Sequence, residues 1–208
     1  RSNTGPACGA CCVPPPPLDP SAMRELTLDS VAGLLKAGGV ITYPTEAVWG
    51  LGCDPANESA VHKVLALKQR PVEKGMILVA ASAAQLDGWV DLAALPVERQ
   101  AAVLASWPGP NTWILPAGPR AARWVTGEHD GLAVRVSAHP LVQALCQAWG
   151  GPLVSTSANL AGEEPARSRQ QLDPRLLARL DGIIDGAVGE QAQPTTIRDG
   201  LTGATLRA

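Results

Sequence analysis

The chain has 208 residues, 46% hydrophobic and 17% charged, which is enough apolar material for one domain with a substantial core. A formal net charge of −2 provides no global field for nucleic acid or an anionic membrane and leaves only a local basic patch for such contacts. Gly (21) and Pro (19) are both abundant and Phe is missing, a balance that favours frequent turns over a simple helical bundle.

Residues 1 to 22 hold four consecutive prolines, 14 to 17, among small residues and have no apolar h-region. They are expected to form a disordered Pro-rich extension ahead of a domain spanning 23 to 208. Cys8, Cys11 and Cys12 lie in that extension. A structural zinc site needs four ligands at paired spacings, and His62, His129 and His139 are scattered, so these thiols are read as inert. Cys53 and Cys146 sit in apolar surroundings as small core residues, which suits a reducing compartment, by default the cytoplasm. The longest apolar run, MILVAA at 76 to 81, is too short to span a bilayer.

Along the chain, LDSVAGLLKAGG puts Val31, Leu34 and Leu35 on one helical face and ends at two glycines. VITY is then a buried strand stopped by Pro44. NESAVHKVLALKQRP is a second helix capped by Asn57, and MILVAA a strand. Ser82 with Gln85 predicts a capping box on a short helix. VERQAAVLASW is helical, and NTWILPA and LAVRVS are strands. A helix runs from Pro140 to two glycines at 150 and 151. PLVSTSAN is a strand entering a polar turn. A last helix is expected over about 168 to 180, followed by short strands in GIIDG, TTIRD and ATLRA. Some neighbouring strands have no helix between them. That irregular alternation predicts a single α/β domain with a twisted mixed parallel/antiparallel sheet flanked by helices.

Three polar clusters fall at element ends. Thr45 and Glu46 follow the strand that Pro44 stops, and Gly50 and Gly52 come within the next six residues. A Pro-Thr turn with a capping hydroxyl explains part of this pattern. In LKQRPVEKG, Lys68, Arg70 and Lys74 gather at a helix C-terminus, where cations offset the negative helix end. Pro71 disfavours helical geometry at Arg70, so the chain is expected to turn there, letting Lys68 and Arg70 converge on one anion. In STSAN, Ser155 and Ser157 share one face and Asn159 shapes the turn, giving either an anion cradle or ordinary turn caps. None of the common glycine-rich phosphate loops, HExxH or GxSxG is present.

The segments YPTEAVWGLGCDP, LKQRP, SWPGPNTWILPA, LAVRVSAHPL and PLVSTSAN, in this order, resemble the YrdC-like threonylcarbamoyl-AMP synthase family, in its single-domain bacterial TsaC type. The resemblance covers about residues 40 to 207. It implies an enzyme with a concave ligand cavity that condenses L-threonine, bicarbonate and ATP, with Mg²⁺ arriving on the ATP. The product would pass to a threonylcarbamoyl transferase complex that modifies tRNA. The resemblance places Thr45 at the threonine moiety and Lys68 and Arg70 at the phosphates as the catalytic pair. Thr112 and Arg135 would line the same cavity. Ser155, Ser157 and Asn159 would cradle the nucleotide and carbamate side, and Arg207 would close the site. Thr196 and Arg198 match a family segment less firmly. Ala161 and Gly162 stand where relatives often carry Ser and Gly, so one hydroxyl is missing there.

The competing reading is a non-enzymatic module that grips tRNA or rRNA. Arg167, Arg169, Arg175 and Arg179 near the last helix would supply its basic patch, or simply form a solvated helix face. The −2 charge and single Tyr leave little for base stacking beyond six scattered Trp.

Overall fold

A computed structural model describes residues 23–191 and 195–207. The predicted extension, residues 1 to 22, therefore lies outside the described residues. Nine strands form one sheet among those described: β1 (Ile41–Pro44), β2 (Trp49–Gly52), β3 (Ile77–Ala80), β4 (Asn111–Pro116), β5 (Gly131–Val136), β6 (Leu153–Ser157), β7 (Gly182–Ile183), β8 (Thr196–Asp199) and β9 (Thr205–Arg207). Their order is β7-β1-β2-β6-β3-β5-β4-β8-β9. The β1–β7, β3–β5 and β4–β8 pairs are parallel and the other neighbours antiparallel, so the sheet is mixed as expected.

The helices are α1 (Leu28–Lys36), α2 (Glu58–Leu67), α3 (Val97–Ala105), α4 (Arg123–Thr126), α5 (Pro140–Trp149) and α6 (Pro174–Leu177). Strand alternation divides the core. Ile41, Tyr43, Val79 and Leu153 point towards Val31 and Leu35 of α1 and Val142 and Leu145 of α5. Leu51, Leu78, Val134 and Val154 point the other way, onto Val61, Val64 and Leu65 of α2. Both faces of the central strands are covered, which is why VITY and MILVAA read as unbroken apolar runs. Cys53 and Cys146 are buried and unpaired. Burial pushes both thiols up, Cys146 to about 12, so neither is a poised nucleophile.

Four local expectations change. WGLG, which none of the predicted strands covers, is a strand: β2 pairs with β1 on one side and β6 on the other. Gly52 is required by packing, because a Cβ there would sit 2.7 Å from Tyr43 Cε1 and 3.0 Å from the Val154 carbonyl oxygen. The 168–180 helix breaks into a 3-10 turn at Arg169–Gln171 and the short α6, because Pro174 starts a new helix capped by the Asp173 carboxylate. The Ser82 capping box does not form. Gln85 Oε1 instead accepts from the Ala81 N–H at 2.9 Å. The chain reverses at Gln69 (φ 44°), one residue before Arg70. There the Arg70 N–H donates to the Leu65 carbonyl and the Gln69 N–H to that of Ala66, the pairing of a Schellman stop. Asn57 caps α2 as read, its Oδ1 accepting from the Ala60 N–H at 3.0 Å.

Candidate functional site

The sheet face that carries Val79 and Leu153 under α1 and α5 continues beyond those helices, with Ile77, Ala133, Arg135 and Ser155 in the same alternation. That uncovered stretch is the floor of a cavity of about 700 Å³. Its rim is built from the β1–β2 turn, the C-terminal end of α2, the end of β6 and strands β8 and β9. The volume lies in the usual range for small-molecule sites.

Thr45 lines the cavity and is 7% exposed. Its Oγ1 donates to the Val48 carbonyl at 2.7 Å, so the hydroxyl locks its own turn and can offer a ligand only an acceptor lone pair. A Cβ on Gly50, also in the lining, would meet Thr45 Cγ2 at 3.0 Å, so this glycine does allow a close approach at the rim.

Lys68 and Arg70 reach the same cavity, with Lys74 beside them. Both are half-buried, and their donors bond to neutral groups. Lys68 Nζ donates to the Ser157 carbonyl (2.9 Å), the Asn159 carbonyl (3.0 Å) and Asn159 Oδ1 (2.6 Å). Arg70 Nε donates to the Gly75 carbonyl at 2.9 Å and its Nη2 to that of Lys74 at 3.1 Å. These contacts hold the cations in place without cancelling their charge. Desolvation lowers the Lys68 ammonium to about 8, with repulsion from Arg70 adding to the effect, and desolvation also lowers Arg70.

Ser155 and Ser157 line the cavity, whereas Asn159 stands behind it. Its Oδ1 accepts from both Lys68 Nζ and Ser157 Oγ (2.6 Å), and its Nδ2 donates to the Leu160 and Glu163 carbonyls. Asn159 is thus the clamp that fixes Lys68 and Ser157. Thr112 is fully buried and outside the lining; its hydroxyl is 2.9 Å from that of Thr195, which does line the cavity. Arg207 reaches the rim and donates to the Thr195 carbonyl at 3.2 Å.

On β8 and just before it, the lining residues are Thr195, Ile197 and Asp199. Thr196 and Arg198 alternate to the opposite face, where the Arg198 guanidinium lies 5.7 Å from the Trp113 ring centroid. Strand parity is the signal that separates these two sets. Sequence reasoning grouped Glu46 with Thr45 but gave it no role of its own, and gave His129 no place in the site; both line the cavity. Glu46 forms an ion pair with Arg135 at 3.3 Å, both side chains being nearly buried.

Among the described residues, Lys68, Arg70, Lys74, Arg135 and Arg207 face two lining carboxylates, Glu46 and Asp199. Asp199 Oδ1 is occupied by the Leu201 and Thr202 N–H groups at 2.9 Å each. Among the described residues no cluster of three His, Cys, Asp or Glu side chains could hold a metal ion. No helix among them is long and apolar enough to cross a membrane.

Fold and site together define an α/β domain whose open sheet face carries a nucleotide-sized, cation-rich cavity and no glycine-rich phosphate loop. The chain belongs to the Sua5/YciO/YrdC family, described as "Telomere recombination", whose sequence model matches residues 33–208. It is 75% identical over 186 residues to a threonylcarbamoyl-AMP synthase of Stenotrophomonas maltophilia, covering 89% of this chain and all of that relative. It is 66% identical over 180 residues to the enzyme of the same name from Xanthomonas campestris pv. campestris, covering 86% of this chain and 96% of the relative. Among solved structures it is similar to P. abyssi Sua5 complexed with L-threonine, with a TM-score of 0.76 and 30% identity over 85% of this chain. The chain spans about half (53%) of that longer Sua5 chain.

Proposed function

We propose that this chain condenses L-threonine, bicarbonate and ATP to threonylcarbamoyl-AMP and pyrophosphate. The observation that carries the proposal is the 75% identity to a threonylcarbamoyl-AMP synthase matched over its whole length. The cation-rich cavity supplies an independent chemical fit.

In the first step the threonine amine attacks the bicarbonate carbon. A C–N bond forms, a C–O bond breaks and water leaves, giving the N-carboxylate. A carboxylate oxygen then attacks the α-phosphorus of ATP. The new P–O bond forms as the bond from the α-phosphorus to the bridging oxygen breaks, and pyrophosphate departs. Such a transfer needs in-line positioning and charge neutralisation rather than a protein nucleophile. Mg²⁺ enters as the counter-ion of ATP.

Lys68 and Arg70, held by neutral acceptors, suit the phosphates as preorganised charges; a direct hydrogen bond from Lys68 would take the place of one of its protein acceptors. Arg135 and Thr45 line the same cavity and suit the amino acid, and Ser155 and Ser157 contribute hydroxyls to its wall. The adenylate is a mixed anhydride prone to hydrolysis, so it must pass promptly to a transferase that modifies tRNA. Mass-spectrometric detection of threonylcarbamoyl-AMP after mixing the three substrates with the protein tests the proposal. Conversion of ATP to ADP, or no threonine-containing adenylate, would overturn it.

A further inference from the structure

Among the described residues, Glu46 is the lining carboxylate not occupied by its own turn, and five cations line the same cavity. One of its oxygens is hydrogen-bonded from the residue just beyond β5, and the other makes only an ion-pair contact with the strand. Oε2 lies 3.3 Å from Arg135 Nη2, and Oε1 accepts from Ser137 Oγ at 2.6 Å. Arg135 and Ser137 are two residues apart and so share one side of the strand. The Ser137 hydroxyl is fully buried and itself accepts from the His139 N–H at 3.1 Å. The backbone of Glu46 is fixed as well, its carbonyl accepting from the Gln191 N–H at 3.1 Å. The carboxylate is therefore anchored from several directions.

Arg135 is only partly satisfied by this partner. Its Nε is buried without a hydrogen-bond partner, although the residue is 8% exposed and lies in the cavity wall. A salt bridge serving stability alone gains most from a tight, fully hydrogen-bonded geometry, because two buried charges otherwise repay little of their desolvation. Here the pair forms no hydrogen bond: Glu46 Oε2 is itself buried without a hydrogen-bond partner, so Glu46 holds the guanidinium by charge and leaves its donors unspent. Nε itself is shielded, but Arg135 lines the cavity, so a ligand there meets the cavity-facing edge of the guanidinium, and a fork of N–H donors matches a carboxylate best.

We propose that Glu46, anchored by Ser137, is a positioning residue that holds the Arg135 guanidinium for the α-carboxylate of the amino-acid substrate. This rests on the reaction proposed above and adds a residue to it. Glu46→Gln keeps the size and the acceptor for Ser137 but removes the charge that holds Arg135. Its KM for L-threonine should rise about tenfold, as for one coupled pair in a charge network, while KM for ATP stays within about twofold. Adding Glu46→Gln to Arg135→Gln should cost nothing more than Arg135→Gln alone. A residue that mattered only to folding would lower Tm and the amount of active enzyme without separating the two KM values.

Ser137→Ala leaves both charges in place and should raise the threonine KM in the same direction by a smaller factor, about threefold. It keeps the question answerable if the Glu46 variant does not fold. An unchanged threonine KM, an equal rise in both KM values, or additive effects in the double variant would each overturn the assignment. Wild-type protein that released pyrophosphate without threonine or bicarbonate would instead overturn the reaction itself, and the positioning role with it.

Discussion

Two groups of cations on this chain differ in what surrounds them. At the surface, Arg169 bridges Glu25 and Asp185, and Arg175 bridges Asp173 and Glu163. Each of these guanidinium groups already has carboxylate partners. Arg175 hydrogen-bonds to the Asp173 carboxyl and holds it down to about 2. In the cavity, Lys68 and Arg70 bond to carbonyls, a hydroxyl and an amide oxygen, none of which carries charge. The first group is neutralised and solvated, so Arg169 and Arg175 contribute little to a field that would draw RNA. The second keeps its charge in a partly desolvated space, where an anion gains most from it. Counting arginines along the sequence does not distinguish the two situations; their partners do.

Lys68→Ala should break the comparison most severely. It removes a preorganised cation, which should lower turnover by roughly 10²- to 10³-fold. It also leaves the Asn159 amide oxygen and two carbonyls without their charged donor. That should cost about 2 kcal/mol of stability, from the typical worth of hydrogen bonds to charged groups. Steady-state pyrophosphate release and a melting curve on the same variant read both effects. The sequence alone suggested an intact fold, since an exposed helix-terminal cation is worth under about 1 kcal/mol. The contacts to Ser157 and Asn159 revise that expectation.

Arg70→Lys comes next. One ammonium cannot reproduce the two-carbonyl grip on Gly75 and Lys74, so activity should fall about tenfold although the charge is retained. Preserved activity in this variant would show that charge alone suffices at that position.

The pH dependence of ATP binding is a gentler probe. Desolvation lowers the Lys68 ammonium to about 8, and a bound phosphate favours the charged form. The contribution of Lys68 to affinity is therefore present below about pH 8 and lost as pH rises through that value. Calorimetric affinities between pH 7 and 9.5 should weaken, and Lys68→Arg should flatten the profile. The smallest effect belongs to the surface group. Arg169→Ala and Arg175→Ala should leave turnover within about twofold and Tm within about 2 °C, as for solvated ion pairs. A large loss of tRNA binding in either variant would revive the RNA-module reading.

Much of this was legible in the sequence, for reasons that also explain what was not. Buried strands such as β3 and the caps of α2 and α5 follow from local patterns. The strand β2 escaped because glycines at alternate positions look like loop punctuation, whereas here they let three strands pack closely around Tyr43. The division of the last helix was written in Pro174 and its Asp173 cap, but only if the proline is read as a start. At the site, the matched motifs fall on segments that reach the cavity, but they do not fix which residue of each faces it. Thr112 lies under Thr195, and Thr196 and Arg198 turn away, because neighbours on a strand point to opposite sides. The Lys68–Asn159 clamp joins residues 91 positions apart, and no local pattern reports such a pairing.

The central claim is that the cavity cations serve adenylate formation from three substrates. Pyrophosphate release, measured with all three substrates and with each omitted in turn, tests it most directly. The account predicts release that requires L-threonine, bicarbonate and ATP together and is nearly abolished in Lys68→Ala. Release that continued without threonine or bicarbonate, or that was unchanged in Lys68→Ala, would contradict it.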